Sequence, residues 1–310
     1  MKKINGVIKA QQFDKETIDK IFATASEMEV SPPMDLMKNK IMATLFYEPS
    51  TRTRLSFEIA MNKLGGSVVG TENAREFSSA AKGESLEDTI RIIAQYGVDI
   101  IVLRYNQEGG AERAQKFSEV PVINAGDGTG QHPTQALLDL YTIDKHFGSI
   151  DGLKLAMVGD LTNGRTVRSL SYFLGKHYPI KQVYFVSPEQ TKMKDDIKDY
   201  FDKYHVKWEE LDELDPIIGD IDVIYQTRVQ KERFKDNPQV YEEVIKASEK
   251  LIIDEGCVNK MKSNAIVMHP LPRVTEISYS VDHDKRALYF QQAQNGLFIR
   301  MALLKLILAE

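Results

Sequence analysis

The stretch Ile41-Met42-Ala43-Thr44-Leu45-Phe46-Tyr47-Glu48-Pro49-Ser50-Thr51-Arg52-Thr53-Arg54 passes from an apolar run into three hydroxyls and two guanidinium groups. Ile41 to Phe46 reads as a buried strand, Leu55 to Leu64 as a helix ended by Gly65-Gly66, and Ser67 to Val69 as a second short strand. That order is a βαβ unit, which requires a parallel sheet. The polar residues therefore sit where a strand hands over to a helix, and there the free backbone N–H groups and the helix dipole favour an anion. Arginine suits forked recognition of phosphate oxygens, and the hydroxyls add neutral donors without overfilling the site with charge. A capped helix with two surface arginines is the plainer alternative. The Gly-x-x-x-x-Gly-Lys pattern of a nucleotide phosphate loop is missing.

Outward from this segment the alternation continues. Ser85 to Tyr96 carries a Ser-x-x-Asp cap signal and Leu86, Ile90, Ile93 and Ala94 at helical spacing, followed by the strand Ile100 to Leu103. A helix near Ala111 to Phe117 leads to the strand Pro121 to Asn124, the turn-rich Gly126-Asp127-Gly128-Thr129-Gly130, and a long helix with Pro133 at its first position. In the second half Lys154 to Val158, Gln182 to Val186, Asp222 to Tyr225, Leu251 to Ile253 and Ala265 to Met268 are strand candidates. Gly296 to Leu308 reads as a buried helix crossing back to the first domain. The expected fold is α/β, with two doubly wound domains, each a parallel sheet flanked by helices, joined by interdomain helices. Residues 1–133 plus 290–310 are expected to form one domain and 134–289 the other, and ligands belong beyond the carboxyl ends of the strands.

Composition narrows the function. At 310 residues the chain accommodates two domains of about 150 residues. Its 42% hydrophobic and 27% charged content is that of a globular protein, with no apolar run of the ~20 residues a membrane span needs and no visible secretory signal, so a cytoplasmic location is expected. Cys257 is the one cysteine and lacks neighbours at metal-ligand spacing, so neither an internal disulfide nor a metal is expected. The net charge of −5, without a basic run, points away from nucleic acid and toward a local anion pocket.

Four further motifs follow in order: His132-Pro133-Thr134-Gln135, Gly159-Asp160 with Arg165, Arg228-Val229-Gln230, and His269-Pro270-Leu271-Pro272-Arg273. Together with Ser50-Thr51-Arg52-Thr53-Arg54 they resemble the aspartate and ornithine carbamoyltransferases over nearly the whole chain. The resemblance implies a cofactor-independent transfer of the carbamoyl group of carbamoyl phosphate to an amino acid. It implies that Ser50, Thr51, Arg52 and Thr53 hold the phosphate with Arg104, that His132 polarises the carbamoyl oxygen, and that Gln135 accepts from the carbamoyl NH₂. Leu271 and Pro272 are expected to contribute backbone carbonyls. Arg54 is expected to be structural, paired with Glu84 or another acid. Arg52, Thr53, Lys82, Arg104 and His132 are the expected catalytic residues.

For the amino acid, Arg165, Arg228, Gln230 and Lys82 are the expected ligands, since two arginines can each grip a carboxylate. The plainer alternatives are a surface residue at a helix start for Arg165, an ion pair with Glu232 for Arg228 and a solvated loop for Lys82. In similar proteins the small-residue segment Ser78 to Glu84 enters the neighbouring subunit's site. That implies a homotrimer with shared active sites, to which Ser78 and Lys82 are donated; the segment's small residues have little to bury, so a mobile loop is expected here. No His-Cys-Leu-Pro or Ser-Met-Gly segment is present, and Leu271 stands where that cysteine would lie, so aspartate is expected rather than ornithine. The resemblance places the reaction early in de novo pyrimidine synthesis and leaves open regulatory chains or a dihydroorotase as partners. A nucleotide-binding protein on a doubly wound sheet lacks its Gly-x-Gly-x-x-Gly fingerprint here. A catalytically dead scaffold disagrees with the presence of Ser50, Arg52, Lys82, His132 and Arg165.

Overall fold

The computed structural model describes residues 4–74 and 79–309. The chain forms two compact units, Met1–Tyr141 with Gln294–Glu310, and Thr142–Ala293.

In the first unit, strands β1 (Ile41–Phe46), β2 (Ser67–Thr71), β3 (Ile100–Tyr105) and β4 (Val122–Asp127) form a parallel sheet in the order β2-β1-β3-β4. The inner strands β1 and β3 are almost wholly buried, which is why they read as continuous apolar runs rather than alternating ones. Helices α1 (Lys15–Val30), α2 (Thr51–Lys63), α3 (Leu86–Gln95), α4 (Gly110–Phe117) and the start of α5 (Pro133–Phe147) accompany the sheet. Ala43, Leu45, Ile101 and Leu103 of the sheet share one apolar cluster with Leu86 and Ile90 of α3 and Ala114 of α4. The cap signal read at Ser85 is realised, because its hydroxyl accepts from the Asp88 N–H at 3.1 Å.

The second unit repeats the plan with a five-stranded parallel sheet. Strands β5 (Lys154–Val158), β6 (Gln182–Val186), β7 (Trp208–Leu211), β8 (Val223–Gln226) and β9 (Ile266–Met268) lie in the order β7-β6-β5-β8-β9. Its helices are α6 (Arg165–His177), α7 (Asp195–Lys203), α8 (Pro238–Ser248), α9 (Glu255–Lys260) and the start of α10 (Tyr289–Leu308). The chain passes between the units within α5 and again within α10.

Three readings of local pattern need correction. Leu251 to Ile253 is not a sheet strand: Glu249–Leu251 is a 3₁₀ turn and Ile253 makes a single bridge to Ile277. Its apolar residues are buried by packing into the core rather than by pairing, and β9 occupies the place beside β8. Strand β7 escaped notice because an edge strand is half exposed, and Glu209 and Glu210 interrupt its apolar pattern. The last helix starts at Tyr289, seven residues before Gly296.

Candidate functional site

Each sheet has one point where the chain, having added strands on one side, switches to the other. In the first sheet this lies between β1 and β3, and in the second between β5 and β8. Loops leaving adjacent strands at such a point diverge in opposite directions and open a crevice at their carboxyl ends.

At the first switch point the Tyr47 N–H donates to the Arg104 carbonyl at 2.9 Å, carrying the β1–β3 pairing just past the end of β1. Ser50 then occupies the N-cap of α2, yet its side chain does not cap the helix; its Oγ accepts from Arg104 Nη1 at 2.8 Å. The Glu48 carboxylate lies 3.6 Å from Arg104 Nε. The simple capped-helix reading therefore fails at Ser50, whose hydroxyl is turned toward a guanidinium from the next strand. Thr53 is buried on the first turn of α2, while Thr51 and Arg52 are exposed there. Arg54 is paired with acids, Glu58 at 3.7 Å and Glu72 at 3.2 Å, rather than with Glu84, which accepts from the Thr89 hydroxyl at 2.6 Å. Burial pushes the Tyr47 phenol above its ordinary pKa, against an opposing hydrogen bond with Thr89.

His132 and Gln135 follow β4, at the start of α5. The His132 carbonyl accepts from the Gln135 and Ala136 N–H groups at 3.0 and 3.2 Å, so the residue anchors the first turn through its backbone. Its buried ring places Nδ1 3.4 Å from the Thr134 hydroxyl. Gln135 Nε2 donates to Asp139 Oδ1 at 2.9 Å, one turn along the same helix. That bond commits one N–H of the amide inside the protein and sets the amide nitrogen on the Asp139 side.

The second switch point is organised by a residue to which the sequence reading gave no role. Gly159 follows β5 with φ +107°, and a Cβ there would collide with the Thr227 carbonyl, so only glycine lets β5 and the end of β8 approach so closely. Asp160 is fully buried, and its carboxylate accepts from the Asn163 N–H at 3.1 Å, the Asn163 side-chain amide at 3.1 and 3.2 Å, and the Gln230 N–H at 3.3 Å. Burial raises its pKa, opposed by these hydrogen bonds and by the Arg228 charge. Gln230 Nε2 returns a bond to the Asn163 carbonyl at 2.9 Å. Asp160 thus ties the loop after β5, which leads to Arg165 at the start of α6, to the loop after β8, which holds Arg228 and Gln230. Arg228 pairs with Glu232, Nη1 to Oε2 at 3.1 Å, as its plainer alternative anticipated, and that hydrogen bond raises the guanidinium pKa.

Leu271 and Pro272 leave the carboxyl end of β9. The Leu271–Pro272 peptide is cis and Leu271 has φ +55°. The loop is held by a buried imidazole: the Leu271 N–H donates to His269 Nδ1 at 2.7 Å, His269 Nε2 meets Glu276 Oε1 at 2.8 Å, and the His269 N–H donates to Gln292 Oε1 at 2.8 Å. With Nδ1 accepting, the ring proton belongs on Nε2, facing the carboxylate. Arg273 is clamped by Asp282, lies 3.0 Å from the Tyr289 hydroxyl and stacks over the Tyr279 ring at 4.4 Å. Asp160, His269, Glu276, Asp139 and Asp282 are the residues that sequence reasoning passed over. The first two stand inside the quoted motifs, whereas nothing local marks the other three.

Lys82 ends the 3₁₀ turn Ser79–Lys82 and is exposed. Ser78, and with it the beginning of the segment expected to be a mobile loop, lies outside the described residues. Among the described residues, no group of three or more His, Cys, Asp or Glu side chains could hold a metal ion, and no helix is long and apolar enough to cross a membrane.

Two parallel α/β units, one with hydroxyls and arginines at its switch point and the other with Arg228 and Gln230 tied to the buried Asp160 at its own, define a two-unit α/β protein of the transferase class. The chain belongs to the aspartate/ornithine carbamoyltransferase family: residues 5–145 match the family's carbamoyl-phosphate-binding domain and residues 151–307 its aspartate/ornithine-binding domain. It is 56% identical to aspartate carbamoyltransferase 2, chloroplastic, of Pisum sativum, covering 98% of this chain and 79% of that protein. It is 50% identical to the aspartate carbamoyltransferase catalytic subunit of Methanocaldococcus jannaschii, covering 98% of both chains. The structure of aspartate transcarbamoylase from Trypanosoma cruzi in complex with carbamoyl aspartate and phosphate superposes with a TM-score of 0.92 at 39% identity, covering 99% of this chain and 97% of that one.

Proposed function

We propose that this chain transfers the carbamoyl group of carbamoyl phosphate to the amino group of L-aspartate, giving N-carbamoyl-L-aspartate and phosphate. The observation that carries the reading is the Arg104–Ser50 hydrogen bond at the first switch point, which aims a strand-end guanidinium and an N-cap hydroxyl at one another beside the open N-terminus of α2.

In this reading Ser50, Thr51, Arg52, Thr53 and Arg104 receive the phosphate. Attack by the uncharged amine of aspartate builds negative charge on the carbamoyl oxygen before phosphate departs. Thr53, Arg104 and His132 are the donors that meet it; one such donor is typically worth about 3 to 4 kcal/mol. The carbonyl oxygen of Gln135 and the backbone carbonyls of Leu271 and Pro272 accept from the carbamoyl NH₂. Arg165, Arg228 and Gln230 take the two carboxylates of aspartate, with Arg228 exchanging Glu232 for substrate. The departing phosphate can accept the amine proton, so no protein base is assigned. Lys82, with Ser78, acts in the site of a neighbouring subunit, which makes a homotrimer the active form.

Carbamoylation assays with L-aspartate and L-ornithine test the function directly. The expected result is turnover with aspartate alone, inhibited by a bisubstrate analogue joining a phosphonate to an aspartate moiety. Turnover with ornithine, or indifference to the analogue, would overturn it.

A further inference from the structure

The backbone donors of the segment after β9 are held by two side chains. The Leu271 N–H donates to His269 Nδ1 at 2.7 Å, and the Glu276 carboxylate accepts from the Val274 N–H at 3.1 Å and the Thr275 N–H at 3.0 Å. His269 Nε2 and Glu276 Oε1 meet at 2.8 Å, which joins the two holds into one brace. Pro270 and Pro272 have no N–H to satisfy. The carbonyls are treated differently: among the described residues no donor reaches the Leu271 or the Pro272 oxygen. The segment thus keeps its donors inside and leaves these two acceptors unengaged.

Leu271 has φ +55°, in the left-handed region that a leucine rarely occupies. Relaxation to an ordinary φ would rotate the neighbouring peptide planes and turn both carbonyls from their present direction. The His269 contact spans residues i and i+2, the reach by which an Asx turn fixes a chain reversal, and it opposes that relaxation. His269 is itself immobilised: it is 2% exposed, and its backbone N–H donates to Oε1 of the buried Gln292 at 2.8 Å. An apolar side chain of similar volume would fill the same space with no buried polar group to satisfy. What the imidazole adds is an acceptor at Nδ1 and a donor at Nε2 in fixed relation.

We infer that His269 is a positioning residue for carbamoyl recognition: its Nδ1 holds the Leu271 N–H, so that the Leu271 and Pro272 carbonyls keep the orientation in which they accept from the carbamoyl NH₂. The inference rests on the reading of those two carbonyls as carbamoyl ligands. It requires the ring proton on Nε2, because a backbone N–H can only donate and Nδ1 must offer a lone pair.

Acetyl phosphate, which carries a methyl group in place of the NH₂, supplies the test on the full-length enzyme. The readout is its Ki divided by the KM for carbamoyl phosphate, with thermal unfolding followed in parallel. Wild type should prefer carbamoyl phosphate. His269→Gln puts an amide nitrogen near the Nε2 position but no acceptor at Nδ1, and the ratio should fall about tenfold, the upper range for one hydrogen bond. His269→Asn places an amide oxygen near the Nδ1 position, and the ratio should stay within about threefold of wild type on the same reasoning. Should the glutamine variant not fold, His269→Leu, which also lacks the acceptor, takes its place with the same expected direction. Independently of any variant, nitrogen NMR of the imidazoles should show His269 as the Nε2–H tautomer; an Nδ1–H ring cannot accept from Leu271 and overturns the inference. If the ratio keeps its wild-type value in the glutamine variant, or falls equally in the asparagine variant, His269 is merely structural and the inference falls, while recognition of the NH₂ stands. If wild type itself does not distinguish the two phosphates, the reading of the carbonyls falls and the inference with it.

Discussion

Ser50 shows how one atom's allegiance separates two readings of the same residues. A serine before a helix ordinarily gives its oxygen to the backbone N–H two or three residues on; here it accepts from Arg104 instead, and the first turn of α2 is not capped by that hydroxyl. Arg52 is exposed on that turn, so its removal leaves the core intact, whereas His132 is buried at the start of α5 and contributes packing there. Arg52→Ala and His132→Ala should each lower kcat about 10²- to 10³-fold, as loss of one preorganised donor does. By calorimetry the melting temperature of Arg52→Ala should stay close to wild type, and His132→Ala should lose far less stability than turnover; wild-type turnover in either variant would remove that residue from the site. At Gly159 the expectation is reversed, because an added methyl group meets the Thr227 carbonyl and the φ of +107° is strained for any L side chain. Gly159→Ala should cost roughly 1–3 kcal/mol or more in urea unfolding.

At the scale of elements, the loop after β9 depends on charge. The hydrogen bond from Arg273 holds the Asp282 carboxyl below its ordinary pKa, against a smaller opposing effect of burial. A carboxylate depressed in the folded state stabilises fully above its unfolded pKa, near 3.8, and loses that contribution as pH falls through the lower folded value. Melting temperature should therefore decline below about pH 4, and Asp282→Asn should flatten that decline while lowering stability at neutral pH. An Asp282→Asn profile parallel to wild type would count against it. The Ser85 cap offers a second check at this scale: Ser85→Ala should cost about 1 kcal/mol, read as a lowered melting temperature. Elements with strong local signals were legible in advance, the buried runs of β1 and β3 and the cap of α3 among them. Strand β7 and the turn at Leu251 were not, because an edge strand's pairing and a turn's burial are set by neighbours distant in sequence.

For the molecule as a whole, the proposal that Lys82 acts in the site of a neighbouring chain predicts complementation. Mixing Lys82→Ala chains with Arg52→Ala chains, each inactive alone, should restore activity through hybrid trimers that contain one site free of both substitutions. Absence of rescue after demonstrated subunit exchange would leave Lys82 serving its own chain.

What the sequence determined by itself is the βαβ alternation, the gathering of hydroxyls and guanidinium groups from Ser50 to Arg54 at a helix start, and the order of the motifs at strand ends, all of which follow from local periodicity and side-chain chemistry. Only the tertiary structure decided that Asp160 joins the loops of β5 and β8, that Arg104 reaches Ser50, and that Arg300 on the last helix covers the ring of Phe57 on α2. Those pairings depend on strand order and helix packing, and a sheet brings together residues whose separation along the chain carries no trace of their contact.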